Sequence, residues 1–169
     1  MIGHLKEDER QTPMKKILTL LNNSMKVVAI SGGFDPLHIG HVEMMKEAKE
    51  LGDKLVVIVN NDNWIKKKKG HQSFMPEQER KAIIEAIRYV DEVIITSHPE
   101  NPTDMSVCAE LEKLKPNIFA NGGDRKPDGD PIPEVELCSR LGIELIYNVG
   151  HSGKIQSSSW LIQKAKEIK

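Results

Sequence analysis

The 169-residue chain carries 24 lysines and arginines against 25 aspartates and glutamates, a formal net charge of −1, which gives no electrostatic reason to expect a nucleic acid or an anionic membrane as a partner. This length fits one domain whose core needs no metal or disulfide to be stable. Two cysteines, Cys108 and Cys138, do not make a disulfide framework. The lack of a disulfide framework favours a reducing cytoplasm as the location. No apolar run reaches the roughly 18 residues of a membrane span, and the amino terminus has no apolar signal core.

Residues 1–24 are predicted to form a polar tail and one helix ahead of the main domain. Thr12 and Pro13 are typical of an N-cap followed by a proline in the first helical turn, and apolar residues continue from there to Asn22. The main domain is predicted over residues 25–169.

Strand-like and helix-like segments alternate from residue 25 onward, a pattern typical of βαβ units and a parallel sheet. The predicted strands are 25–31, 54–60, 92–96, 117–120 and 143–149, and the predicted helices are 41–51, 76–89, 105–114, 132–141 and 158–168. The apolar runs VVAI, LVVIV and VII indicate strands covered on both faces. The sequence therefore predicts a three-layer α/β/α sandwich around a five-stranded parallel Rossmann-like sheet, in which ligands bind outside the carboxyl ends of the strands.

The segment SGGFDPLHIGHVEMM, residues 31–45, lies where the first strand gives way to the first helix. Gly32 and Gly33 allow the backbone to approach a ligand closely. The helix that begins near Gly40 presents free N–H groups and the positive end of its dipole. These features predict an anion site, with phosphate as the favoured anion.

His38 and His41 lie within this segment, three residues apart. Imidazole N–H groups beside a phosphate can donate to its oxygens and stabilise charge that builds up at the phosphorus. Zinc is the competing interpretation, but no third ligand lies nearby in the sequence, and neither cysteine has zinc-finger spacing.

The stretch GGFDPLHIGH resembles the signature of the nucleotidyltransferase superfamily with the HxGH motif. Its members join a nucleoside triphosphate to a phosphorylated small molecule and release pyrophosphate. Four later stretches follow in the order that the family has: LGDKLVVIVNND, ERKAIIEAIRYVDEVI, FANGGDR and SSSWLIQK. They are most similar to the glycerol-3-phosphate cytidylyltransferases and to the nucleotidyltransferase domain of ADP-heptose synthase. Five elements in order, each at a strand exit, are far more specific than HxGH alone.

The resemblance implies a role for each matching position. The catalytic residues that it implies are His38, His41 and Lys69, with both histidines stabilising the pentacoordinate transition state at the α-phosphorus. The nucleotide-binding residues that it implies are Gly32, Gly33, Phe34, Asp35, Gly40, Gly122, Asp124, Ser157, Ser158 and Ser159. The substrate-binding residues that it implies are Asp62, Arg80 and Arg125.

Several of these positions have a second interpretation. Asp35 either acts in catalysis or only caps backbone N–H groups at the end of the turn. Lysines 66–69 are typical of a solvated, flexible run, and only Lys69 aligns with the phosphate-contacting lysine of the cytidylyltransferases. Arg80 either reaches the phosphate of the second substrate or orders the preceding loop, and a surface ion pair is the competing interpretation.

Polar residues also follow the fourth strand and begin the last helix. Asp124 can accept hydrogen bonds from a ribose or base, and Arg125 can stack on a base or hold a phosphate. The three serines at 157–159 are typical of an N-cap, and three hydroxyls at a helix start also predict a second anion site facing the first. Here the chain departs from the cytidylyltransferases, which have an arginine shortly before the serines; His151 and Lys154 are the candidate replacements.

The predicted reaction is an in-line attack by a phosphate oxygen of a polyol or sugar phosphate on the α-phosphorus of CTP or ATP. Mg²⁺ is expected with the triphosphate, held by few or no protein ligands. The alternatives are an enzyme like pantetheine-phosphate adenylyltransferase, or a nucleotide-binding regulatory domain without turnover. An RNA-binding module lacks its basic face here. A homodimer is expected from the resemblance alone.

Overall fold

The computed structural model describes residues 25–122, 133–150 and 156–168. The elements in this part of the chain are β1 (Val27–Gly32), α1 (Ile39–Glu50), β2 (Lys54–Val59), α2 (Asp62–Lys69), α3 (Glu77–Glu85), β3 (Glu92–Ile95), α4 (Cys108–Leu114), β4 (Ile118–Gly122), α5 (Glu134–Leu141), β5 (Glu144–Val149) and α6 (Ser158–Glu167). The predicted amino-terminal tail and helix lie outside the described residues.

The five strands form one parallel sheet in the order β3-β2-β1-β4-β5. From β1 the chain builds outward to β2 and β3, and it then crosses to the other side of β1 to form β4 and β5. The strand order therefore reverses its direction between β1 and β4, and open α/β sheets bind their ligands at such a point. The predicted five-stranded parallel sheet is confirmed.

Side chains alternate along β1 between two separate apolar clusters. Val28 and Ile30 pack with Met45 of α1 on one face of the sheet. Ala29 packs on the other face with Leu111 of α4 and Cys138 of α5. All residues of β2 from 55 to 59 are fully buried, as expected for a strand covered on both faces. The three-layer α/β/α architecture is therefore confirmed.

Lysines 66–69 are exposed, as predicted for a solvated run, but they form the second half of helix α2 and not a flexible segment. Asn61 caps this helix, with its Oδ1 accepting a hydrogen bond from the backbone N–H of Trp64 (3.0 Å). The helix ends at Gly70, whose φ of 74° suits glycine. Ile65 is its one buried residue, so the segment has no apolar repeat from which a helix could be predicted.

Two other helices are shorter than predicted: α3 ends at residue 85 and α4 begins at residue 108. None of the helices in the described ranges is long and apolar enough to cross a membrane.

Candidate active site

The turn that follows β1 packs tightly against its own aromatic residue and against α2. A Cβ atom on Gly32 would lie 3.0 Å from the ring of Phe34, and one on Gly33 would lie 2.8 Å from Cδ1 of Ile65. Phe34 itself has a φ of 51° and is almost fully buried. Packing thus gives a reason for glycine at both positions, and their predicted approach to a nucleotide stays a prediction.

The two histidines of the motif form a stacked pair at the start of α1. Their ring centroids are 3.7 Å apart with an interplanar angle of 21°. His38 is the N-cap residue of α1, and its backbone N–H donates a hydrogen bond to Nδ1 of His41 (3.3 Å). Phe34 packs edge-on against His41, with the ring centroids 5.0 Å apart.

This geometry determines the protonation state of His41. Since Nδ1 accepts a hydrogen bond, the ring proton of the neutral form is on Nε2. Burial, together with the nearby charges of His38 and Lys69, lowers the pKa of His41 to about 3. Burial also lowers the pKa of His38, whose buried Nδ1 has no hydrogen-bond partner within the described structure. At neutral pH His41 is therefore a neutral donor through Nε2–H.

Gly40 gives the His38 ring its space. A Cβ atom at this position would lie 3.2 Å from Nδ1 and Cε1 of that ring, and 3.9 Å from the carbonyl oxygen of Gln156. The glycine between the histidines therefore leaves room for the His38 ring, while the distance to Gln156 is that of an ordinary contact.

Lys69, the last residue of α2, reaches back to the β1 exit. Its ammonium donates to the backbone carbonyl of Asp35 (2.9 Å). The pKa of Lys69 is lowered overall. Desolvation is the main cause and the Arg80 guanidinium adds to it, while the Asp35 carboxylate opposes the shift. An ammonium has three N–H donors, and this contact uses one of them.

Asp35 is buried, with 1% of its surface exposed, and its carboxylate fixes the loop before α3. Oδ2 accepts from the backbone N–H of Phe74 (2.9 Å) and Oδ1 accepts from that of Met75 (2.8 Å). With both oxygens bonded to backbone donors, the structure favours the capping role for Asp35 over a catalytic one.

Arg80 is not on the surface, so the competing interpretation of a surface ion pair is wrong. The side chain is 0% exposed. Nε donates to the carbonyl of Met75 (2.9 Å), and NH1 donates to the carbonyls of Gly33 (2.6 Å) and Asn60 (2.7 Å). NH2 pairs with Oδ1 of Asp62 (2.6 Å). These contacts favour the loop-ordering interpretation over a contact with the acceptor phosphate.

Asp62 also has protein partners for its second carboxylate oxygen. Oδ2 accepts from the backbone N–H of Glu77 (3.2 Å), while the Glu77 carboxylate accepts from the backbone N–H of Asp62 (2.8 Å). The first turns of α2 and α3 are thus joined by this reciprocal pair. The predicted substrate contact of Asp62 stays a prediction, and the observed contacts are structural.

At the β4 exit, Gly122 lies directly against α1. A Cβ atom there would overlap the sulfur of Met44 and lie 3.1 Å from the carbonyl oxygen of Val149. Asp124 and Arg125 lie outside the described residues, so their predicted contacts stay predictions.

The serines at the start of α6 lie beside the histidine turn. Ser157 is the N-cap residue, and its Oγ accepts from the backbone N–H of Trp160 (3.2 Å). Ser158 Oγ donates to the carbonyl of Pro36 (2.9 Å), and Ser159 Oγ lies 3.2 Å from Ser157 Oγ. The structure thus brings the starts of α1 and α6 together at one end of the sheet.

Sequence reasoning missed how α2 is fixed to the loop after β3. The side-chain amides of Asn61 and Asn63 both donate to the carbonyl of His98 (2.8 and 3.0 Å), and Trp64 Nε1 donates to the carbonyl of Met105 (2.8 Å). The signal in the sequence is the run of amide side chains after β2, which includes Asn61 and Asn63. These bonds hold the helix whose last residue, Lys69, reaches the site.

The described residues contain no group of three or more His, Cys, Asp or Glu side chains that could hold a metal ion. The zinc interpretation therefore gains no support. What this part of the chain offers is a neutral imidazole donor, an ammonium and the N-terminal ends of two helices. Such a set suits a polyphosphate and the negative charge that develops at a phosphorus.

The fold is of the Rossmann-like α/β class, and the residues gathered at the strand exits suit the binding of a polyphosphate. A sequence-family model described as "Cytidylyltransferase-like" matches residues 29–136, and the chain belongs to this family. The resemblance to HxGH nucleotidyltransferases is thus confirmed, and the protein is a nucleotidyltransferase.

Curated relatives extend the match beyond the family model. FAD synthase of Pyrococcus abyssi is 39% identical over 125 residues, covering 74% of this chain and 80% of that protein. FAD synthase of Thermococcus sibiricus is 33% identical over 152 residues, covering 87% of this chain and 97% of that protein. The bifunctional protein HldE of Koribacter versatilis is 33% identical over 108 residues, 63% of this chain and 21% of that protein.

A solved structure is similar as well. The lipopolysaccharide core biosynthesis protein of Thermoplasma volcanium matches with a TM-score of 0.57 and 31% identity, covering 73% of this chain and 96% of that one.

Proposed function

We propose that the protein transfers AMP from ATP to the phosphate of flavin mononucleotide (FMN), producing FAD and pyrophosphate. The observation that carries this proposal is the 33% identity to a FAD synthase across 87% of this chain and 97% of that protein. FMN bears its phosphate on a ribityl chain, so its reacting end is a polyol phosphate, although the sequence predicted a small polyol or sugar phosphate as the whole acceptor. Because FAD contains adenosine, the proposal selects ATP over CTP.

In the proposed step, an oxygen of the FMN phosphate attacks the α-phosphorus of ATP in line. The new bond joins this oxygen to the α-phosphorus, and the bond from the α-phosphorus to the bridging oxygen of the β-phosphate breaks. Pyrophosphate leaves with the electron pair of that bond. No general base is needed, because a phosphate monoester is already ionised near neutral pH. Catalysis then depends on positioning and on stabilising negative charge.

In this proposal, residues of the described part of the chain supply both the positioning and the stabilisation of negative charge. The Nε2–H of neutral His41 donates to an oxygen on the α-phosphorus, where charge increases in the transition state, and His38 lies stacked on it. Lys69 contributes a positive charge from the end of α2. The starts of α1 and α6 contribute backbone donors, and Ser158 joins the second start to the turn of the first.

Mg²⁺ belongs to the substrate in this proposal and enters as the Mg·ATP complex. The carboxylates at the site agree with this, because their oxygens already have protein partners. Both oxygens of Asp35 accept hydrogen bonds from backbone N–H groups, and those of Asp62 accept from the Arg80 guanidinium and the Glu77 backbone N–H. The ion neutralises charge on the triphosphate and on the departing pyrophosphate.

The test is pyrophosphate release with ATP or CTP, each offered with FMN, glycerol 3-phosphate, heptose and hexose 1-phosphates, or phosphopantetheine. FMN with ATP is expected to give the highest kcat/KM, with FAD formed in equal amount to pyrophosphate. A better reaction with another acceptor would replace FMN, and a better reaction of FMN with CTP would replace ATP. Nucleotide binding without turnover for any pair would favour the regulatory domain.

A sugar phosphate is the second candidate acceptor. The similarity to HldE and the similarity to the lipopolysaccharide core biosynthesis protein of Thermoplasma volcanium both favour it. The same panel distinguishes the two acceptors by their products. A sugar phosphate acceptor would yield a nucleotide-linked sugar, and FMN would yield FAD.

A homodimer and a cytoplasmic location remain part of the proposal. Analytical ultracentrifugation of the full chain tests the first: a sedimenting mass near 38 kDa, about twice the 19.0 kDa of one chain, is expected, and 19.0 kDa would contradict it.

A further inference from the structure

Arg80 is the largest fully buried side chain among the described residues. Its guanidinium reaches three segments: the β1 exit at Gly33, the stretch from the β2 exit into α2 at Asn60 and Asp62, and the loop before α3 at Met75. All four hydrogen bonds are between 2.6 and 2.9 Å long. One rigid, planar group therefore sets the relative positions of three segments.

Met75 is held from both sides. Its N–H donates to the Asp35 carboxylate, and its carbonyl accepts from Arg80 Nε. The carbonyl of Asp35 accepts in turn from the Lys69 ammonium. The contacts of Arg80 thus lead, through Met75 and Asp35, to Lys69 at the end of α2.

Stability alone does not explain an arginine at this position. Burying a guanidinium costs free energy even when a carboxylate partner is present, and replacing a buried ion pair by apolar residues is often neutral or stabilising. What apolar residues cannot reproduce is the directional contact with carbonyls of three separate segments.

We propose that Arg80 is a positioning residue for nucleotidyl transfer. It holds the β1-exit turn and the loop before α3 in the arrangement in which Lys69, His38 and His41 act together, and it touches neither substrate. This inference rests on the proposed function.

The test compares Arg80→Lys with Arg140→Lys. Lysine keeps the charge but cannot make four bonds in a planar fork. Arg140 is a matched control, because its side chain is 65% exposed and pairs with Glu112 on the surface. Kinetics are measured with the acceptor that the wild type uses best, at a temperature where circular dichroism shows every variant folded.

For Arg80→Lys we expect kcat to fall at least about tenfold while KM for the acceptor stays within about threefold, since small displacements of catalytic groups cost rate rather than binding. Arg140→Lys should match the wild type in both. An unchanged kcat in folded Arg80→Lys would reduce Arg80 to a stability role and overturn the proposal. A rise of tenfold or more in acceptor KM at unchanged kcat would also overturn it, because it would indicate direct contact with the acceptor phosphate.

Asp62→Asn decides the question if Arg80→Lys does not fold. This variant removes the charge through which Arg80 fixes the start of α2, the helix that carries Lys69 at its other end. A fall in kcat at unchanged acceptor KM supports the positioning role, and an unchanged kcat contradicts it. Failure of the proposed function would appear in the wild type as no FAD formed, whereas failure of this inference appears only in the comparison of variants.

Discussion

Replacing His41 tests the role of a neutral imidazole donor at the phosphate site. The two ring nitrogens have different tasks: Nδ1 accepts from the backbone N–H of His38, and Nε2–H is left for the substrate. Asparagine reaches only as far as the Nδ1 position, while the amide nitrogen of glutamine reaches the Nε2 position. His41→Asn therefore removes the donor and can keep the internal hydrogen bond, and His41→Gln restores a donor where the substrate is expected.

The size of the effect follows from the contact that is lost. A preorganised donor to charge that develops in the transition state is worth roughly 100-fold to 1,000-fold in kcat, about 2.7–4 kcal/mol. We expect His41→Asn to lose that much and His41→Gln to recover at least about tenfold of it. Little change is expected in KM for ATP, because the contact is strongest in the transition state.

The assay is steady-state FAD formation from ATP and FMN at pH 7.5, with the fold checked by circular dichroism. A His41→Asn variant that keeps kcat within a few-fold of the wild type would refute the assignment. So would a glutamine variant no faster than the asparagine variant together with a large rise in KM for ATP, because that pattern would mean binding of the ground state only.

Three further predictions concern Lys69, Gly122 and acid stability. Lys69→Ala should raise KM for ATP or lower kcat by at least about tenfold. Lys66 is an exposed residue of the same helix, so Lys66→Ala should change neither constant by more than about twofold. Equal effects of the two substitutions in steady-state kinetics would contradict the alignment of Lys69 with the phosphates. Gly122→Ala should cost about 1–3 kcal/mol in urea unfolding, because the added Cβ overlaps Met44, and an unchanged midpoint would show that α1 can move away. The free energy of unfolding should fall as the pH drops from about 6.5 towards 3, because His41 becomes protonated in the unfolded chain at a higher pH than in the folded protein. The slope that this group contributes is at most about 1.4 kcal/mol per pH unit. His41→Asn should flatten the pH dependence.

The sheet and the location of the site were predictable because their signals are local. The runs that form β1 and β2 are apolar throughout, and the HxGH motif follows β1 within a few residues. Five parallel strands with helices between them then place the strand exits at one edge, so the approach of the serine run to the turn at Pro36 followed from topology.

What the sequence did not predict depends on contacts between distant segments. Helix α2 has one buried side chain, Ile65, and is otherwise held by a cap and by bonds to the loop after β3. The burial of Arg80 depends on backbone carbonyls contributed by three separate segments. Every residue type has a backbone carbonyl, so the sequence does not show which of them accept hydrogen bonds from the arginine. The sequence could not decide the role of Asp35 for the same reason, since its two partners are backbone N–H groups about 40 residues further on.

The measurement that tests the central claim most directly is the fate of labelled ATP incubated with Mg²⁺ and FMN. With ³²P in the α-position, the label is expected in FAD, and with ³²P in the γ-position it is expected in pyrophosphate; neither should be seen when His38 and His41 are both replaced by asparagine. Label from the α-position in free AMP alone, or equal transfer by the double variant, would contradict nucleotidyl transfer to FMN at this site.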